Sequence, residues 1–147
     1  MPLDVRDVCP LLGVYDMPTS VRFYRDMLGF EIVSHSPWLG GDADHFHWCW
    51  LRLGGAEIML NSNYEFDEER PVPSDPVRTR VHRDTCLYFG CPDVDAAYKE
   101  LRAKGVLVEK PKIAPYGMKQ MGLRDPDGYS LCFQWRASTP ATAEPGQ

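Results

Sequence analysis

SVRFYRDMLGF, residues 20–30, and DAAYKELRAKGV, residues 95–106, decide the fold. Each is an amphipathic helical stretch closed by a glycine and then an apolar residue. The two glycines, Gly29 and Gly105, lie 76 positions apart. In the first stretch Val21, Phe23, Tyr24, Met27 and Leu28 recur at helical spacing, so they form one apolar face. Asp16 and the Pro18-Thr19-Ser20 stretch supply helix-start chemistry ahead of it. In the second, Asp93 or Asp95 caps a helix holding Ala97, Tyr98, Leu101 and Ala103. Gly29 and Gly105 are natural helix stops.

Outward from these helices the chain repeats its strand pattern. Residues 5–15 (VRDVCPLLGVY) read as a strand before the first helix, and Phe30–Ser34 as the strand after it. Residues 35–45 read as a Gly/Pro/Asp-rich loop. Phe46–Leu53, the Gly54-Gly55 turn and Ala56–Asn61 then read as a hairpin. The second half repeats the order, with strands at Thr85–Phe89 and Val106–Glu109. A last pair follows, near Lys119–Arg124 and Tyr129–Trp135, joined by Asp125-Pro126-Asp127-Gly128. Neither half can bury its sheet alone. The expected fold class is α+β: two βαβββ modules forming one curved mixed sheet, helices on the outer face and a concave ligand cavity on the other.

Residues 1–136 are expected as a single domain. Module one is 5–62, module two is 84–136, and the polar, proline-rich segment 63–83 is a linker or flap. The Ala/Thr/Pro-rich stretch 137–147 reads as a flexible tail. With 147 residues and a net charge of −5, the chain has no basic run. Nucleic acid and anionic membrane are therefore not expected partners. No signal peptide or transmembrane run is visible. The five cysteines are widely spaced without a CxxC, so reduced thiols and a cytoplasmic location are expected.

Several stretches together resemble the vicinal oxygen chelate superfamily, which includes glyoxalase I, extradiol dioxygenases and bleomycin-resistance proteins. They are Asp16 with Ser20–Tyr24, Leu28-Gly29-Phe30, Gly54–Leu60, Asp93–Ala96, Pro115–Met118 and Asp125–Tyr129. The resemblance covers residues 5–136 and implies a scaffold that hosts several chemistries. It also implies a homodimer. Metal-dependent members draw four ligands from four strands. Mapped by motif, those positions hold Cys9, Met59, Cys86 and Cys132, where the family places His, Glu or Gln. No histidine falls there, so the standard Fe(II) and glyoxalase chemistries are demoted.

Strand alternation then predicts the lining of the cavity. With Gly54-Gly55 as a two-residue turn, hairpin partners have numbers that sum to 109. Arg52 opposes Glu57, Trp50 opposes Met59 and Trp48 opposes Asn61, all on the face of the mapped positions. Cys86, Tyr88, Ser130, Cys132 and Gln134 join that face, as do Cys9, Leu11 and Gly13. Leu12, Val14, Leu87, Phe89, Leu131 and Phe133 go to the helix-packed core. The ligand-binding residues expected are Cys9, Trp48, Trp50, Arg52, Glu57, Met59, Cys86, Tyr88, Cys132 and Gln134.

Such an aromatic box suits a flat or cationic small molecule. The alternative for the tryptophans is simple filling of the sheet or of a dimer interface. No resident cofactor is expected. A soft metal on Cys9, Met59, Cys86 and Cys132, or a reactive thiol, are the weaker readings of the sulfur groups. A metal-dependent lyase or dioxygenase would need an atypical ligand set, such as His45, His47 and Glu57. A metal-free enzyme would use Glu57 or Tyr88 as acid–base group, with Arg52 steering an anion. His45 and His47 read more simply as solvated histidines, and Asp67–Arg70 as a solvated loop. Asp125 and Asp127 read as turn residues.

Overall fold

The computed structural model describes residues 1–64 and 66–137; the expected tail beyond residue 137 lies outside the described residues. The strands form two separately hydrogen-bonded, four-stranded mixed sheets, one per module. The chain divides into two units, the first ending at Asp75 and the second beginning at Pro76. The duplicated βαβββ architecture is therefore present, and it is α+β.

In module one, β1 (Leu11–Val14) leads into α1 (Met17–Arg22), followed by β2 (Glu31–His35), β3 (Trp48–Leu53) and β4 (Ala56–Ser62). The sheet order is β1-β4-β3-β2, with β1 parallel to β4 and the other pairs antiparallel. Asp16 caps α1, its carboxylate accepting from the Thr19 N–H at 3.2 Å. Beyond Arg22 the helix continues through a wide turn, where the Leu28 N–H reaches the Phe23 carbonyl at 3.2 Å. Val21 and Tyr24 are fully buried, and Tyr24 meets Phe30 edge-on. Gly29 ends the segment at φ 95°, in the left-handed region that glycine tolerates.

Two strands are shorter than expected. The first runs only from Leu11, because Pro10 has no N–H to extend the ladder. Its carbonyl still accepts from the Met59 N–H at 2.8 Å. The third begins at Trp48, because Ser36 Oγ captures the His47 and Trp48 N–H groups at 3.1 and 3.0 Å. Phe46 is instead buried, its ring stacked on His35.

In module two, β5 (Cys86–Gly90), α3 (Val94–Ala103), β6 (Lys112–Ile113), β7 (Met118–Arg124) and β8 (Ser130–Arg136) repeat the order as β5-β8-β7-β6. Asp93 caps α3, accepting from the Ala96 N–H at 3.0 Å. The strand expected at Val106–Glu109 is reduced to one bridge, Val108 to Leu123. Pro111 interrupts the edge before β6, since it cannot donate. The core follows the alternation: Leu12, Val14, Phe89, Leu131 and Phe133 are buried. Leu87 is half-buried.

Segment 63–83 is not a plain linker. It carries a helical turn at Asp67–Glu69, α2 (Pro76–Val81) and another turn at His82–Asp84. Polar composition hid these elements, because their contacts are tertiary. Arg78 of α2 pairs with buried Asp127 at 2.7 Å, and His82 stacks on Tyr129 with centroids 4.1 Å apart. Gly128, at φ 88°, lies so close that a Cβ there would stand 2.5 Å from the Thr79 carbonyl oxygen.

Gly128→Ala should therefore destabilise the protein by about 2–4 kcal/mol, combining left-handed strain with the clash. A thermal melt should show Tm about 5–10 °C lower. Gly55→Ala, whose Cβ meets nothing within 4 Å, should leave Tm nearly unchanged. Equal effects at the two positions would contradict the packing of α2 on the turn.

Candidate functional site

Gly54-Gly55 makes a two-residue turn with Leu53 opposite Ala56, so the pairings Arg52–Glu57, Trp50–Met59 and Trp48–Asn61 all form. These six side chains share one face of the first sheet, with Leu11 and Gly13 alongside through the β1–β4 register. Glu57 organises this face. One carboxylate oxygen accepts the Trp50 indole N–H at 3.0 Å, and the other accepts Arg52 Nε at 3.3 Å. The Arg52 guanidinium carbon lies 5.9 Å from the Trp50 ring centroid. The charges of this face are thus paired with one another. Cys9 sits just before β1; burial, then the Glu57 charge and then that of Asp7 push its thiol up. The Asn63 amide covers Gly13, standing where a Cβ would be.

The second sheet repeats the rows with different occupants. Arg124 pairs with Ser130, which pairs with Cys86. Gly122 pairs with Cys132, which pairs with Tyr88. Gln120 pairs with Gln134, which pairs with Gly90. Matched strand for strand, Gly122 stands where module one has Trp50, and Ser130 where it has Glu57. A cavity of about 790 Å³ opens on this face. Its lining includes Cys86, Leu107, Glu109, Ile113, Arg124 and Cys132. Leu107 and Ile113 are strongly exposed at its rim.

The Glu109 carboxylate folds over Gly122, with Oε1 2.8 Å from where a Cβ on that glycine would stand. The Glu109 N–H donates to the Gly122 carbonyl at 2.9 Å. Gln120 donates to Gln134 at 2.8 Å and to the Tyr116 hydroxyl at 2.7 Å. Sequence reading missed Glu109, Gly122 and Arg124. The signal lay in aligning the two modules' hairpins, which places Gly122 opposite Trp50.

The thiols are held neutral. Burial raises Cys132, and Cys86 and Glu109 add to the effect. Burial also raises Cys86, against smaller opposing effects from Arg124 and Tyr88. Tyr88 is 59% exposed, and its phenol is pushed up chiefly by Cys86. Thiolate is the form that attacks as a nucleophile, so these sites disfavour that role. Among the described residues, no group of three or more His, Cys, Asp or Glu side chains is arranged to hold a metal. The donors at the positions mapped for metal ligands do not fit the family's hard-metal centre.

His45, His47 and the 67–70 segment lie elsewhere, around a smaller, polar cavity of about 450 Å³ in module one. His45 Nε2 lies 3.1 Å from Asp67, and Arg70 bridges to Asp16 at 2.8 Å. The expected solvated loop at Asp67–Arg70 is thus tied down by the His45–Asp67 contact and the Arg70–Asp16 ion pair. Asp125 is a turn residue, accepting from the Asp127 and Tyr129 N–H groups at 2.9 and 3.0 Å.

Residues 8–133 match the family model of the Glyoxalase/Bleomycin resistance protein/Dioxygenase superfamily, and the chain belongs to that family. Solved structures share the fold. TnmS3, described as an antibiotic binding protein from Streptomyces sp. CB03234, is 24% identical with TM-score 0.65, covering 92% of this chain and all of its own. TioX from Micromonospora sp. ML1 is 20% identical with TM-score 0.67, covering 89% and 99%. The bleomycin-binding protein of Streptomyces verticillus, solved with copper(II)-bleomycin, is 21% identical with TM-score 0.61, covering 90% and 97%. No curated protein matches by sequence. No described helix is long and apolar enough to cross a membrane.

Iodoacetamide labelling read by peptide mass spectrometry should find Cys86 slow at pH 7 and faster as the pH rises. Cys132 should follow, and Cys49, whose thiol burial pushes up to about 12, should stay protected until unfolding. A buried neutral thiol stabilises the fold fully below the ordinary thiol pKa of 9.0, and the stability is lost as pH climbs towards about 12. Rapid labelling of Cys86 at pH 7 would contradict this.

Proposed function

We propose that the protein binds a planar, aromatic small molecule in the module-two cavity, with no resident metal at the Cys9, Met59, Cys86 and Cys132 positions. The observation that carries this is the exchange of Trp50 for Gly122. Where module one fills its face with an indole, module two leaves a hollow of about 790 Å³, within the range of drug-sized sites. Its apolar rim offers surface to a ring system, and the exposed Tyr88 stands outside the lining in the Gly122–Cys132 row, where stacking contributes about 0.5–1.5 kcal/mol per aromatic pair.

The chemistry of the lining supports binding over turnover. Glu57 already accepts from two donors, which leaves it poorly placed as a general base. The raised thiols argue against nucleophilic use. The structures described as antibiotic-binding and bleomycin-binding proteins are consistent with a binding role. A homodimer belongs to this reading as well: Leu3, Val5 and Val8 are exposed ahead of the edge strand β1.

Gly122→Leu tests the reading. The near atom is the flexible end of Glu109, so the variant should fold, with Tm within about 3 °C of the parent. Titrated with a panel of planar drugs, it should bind the compound that the parent prefers at least about tenfold more weakly. Unchanged affinity would remove the cavity from the proposal, and an absence of any planar ligand for the parent would remove the function.

A further inference from the structure

The cavity floor carries two opposite charges that the fold does not use. In module one the cation of this row, Arg52, is neutralised by Glu57 and lies over Trp50. Its counterpart Arg124 faces Ser130 and Cys86, neither of which is an anion. Glu109 is the cavity's carboxylate, and it lies over Gly122. Neither the Arg124 nor the Glu109 side chain has a hydrogen-bond or ion-pair partner among the described residues. Gly122 and Arg124 are two residues apart on β7 and belong to the same face, so their backbone positions are about 7 Å apart along the strand. A second cation, Lys112, flanks the other side of Glu109 beside Gln120.

The row thus reads cation, anion, cation across an apolar-rimmed hollow. A purely cationic ligand would meet two like charges there. A purely anionic ligand would lie over Glu109. A neutral ring would cover charged groups with nothing to pair them, which is unfavourable when water is displaced.

We infer that the cavity selects amphoteric planar ligands, with Glu109 facing a cationic nitrogen and Arg124 an acidic group on the same ring system. This rests on the proposed planar-ligand function and names its ligand class. Gly122 has a second role in it, since any side chain there would displace the Glu109 carboxylate from its seat.

Three dyes on one xanthene body separate the possibilities: rhodamine B, a zwitterion at neutral pH; its ethyl ester, a cation; and fluorescein, an anion. Binding is read by fluorescence anisotropy at low salt. Rhodamine B should bind at least about fivefold more tightly than either of the others. Glu109→Gln should erase its advantage over fluorescein, and Arg124→Gln its advantage over the ester. Glu100→Gln, on α3 outside the cavity lining, should change nothing, and circular dichroism melts should show all three variants folded. If the three dyes bind within twofold of one another, or if both cavity variants leave the order intact, the amphoteric assignment falls while the planar-ligand function stands. If no dye binds, both fall.

Discussion

Each module depends on a hairpin whose register a turn holds in place. Gly54, at φ 56°, lets β3 return into β4 within two residues. Asp125, whose carboxylate accepts two backbone N–H groups, does the same between β7 and β8. A slip of one residue in either hairpin would turn every side chain to the opposite face. In module one the slip would bury Trp50, Arg52 and Glu57 under the helix. In module two it would bring Leu123 and Leu131 out of the core and move Arg124 and Cys132 into it. The contents of both faces, and so any binding they perform, follow from these two turns.

On that common frame duplication has allowed the faces to diverge. The rows correspond, yet one face carries an indole and a paired charge, while the other is hollow and carries charges with no ion-pair partner among the described residues. Trp50, Glu57 and Arg52 satisfy one another, and that module gains a modest local stabilisation, since exposed ion pairs contribute roughly 0–1 kcal/mol. Gly122, Ser130 and Arg124 leave the same requirements unmet. Unmet requirements on a concave surface are what a ligand can supply. The neutral thiols at Cys86 and Cys132 suit that role, because they act as small apolar groups.

How far the sequence discloses this varies with the range of the interaction. The hairpin pairings were legible, because the Gly54-Gly55 turn and strand alternation are local rules. The cap at Asp16 was legible for the same reason, and the second was narrowed to Asp93 or Asp95, of which Asp93 caps. The shortened β1 follows from Pro10 and the broken second strand of module two from Pro111, both readable once the missing N–H is weighed. The helical pieces within 63–83 were not legible: Arg78 and His82 are ordered by Asp127 and Tyr129, more than 40 residues away. Glu109 escaped notice because its meaning depends on Gly122, a residue with no side chain to attract attention. Attention to the mapped metal positions led to Cys132 but not to its neighbour across the strand.

A bound ligand should occupy the hollow over Gly122. Amide chemical-shift mapping of the isotope-labelled protein, titrated with the tightest-binding planar compound, tests this most directly. The largest shifts should centre on Gly122, Cys132, Glu109 and Arg124. Shifts centred on Trp50, Met59 and Leu11, with Gly122 and its neighbours unmoved, would contradict it.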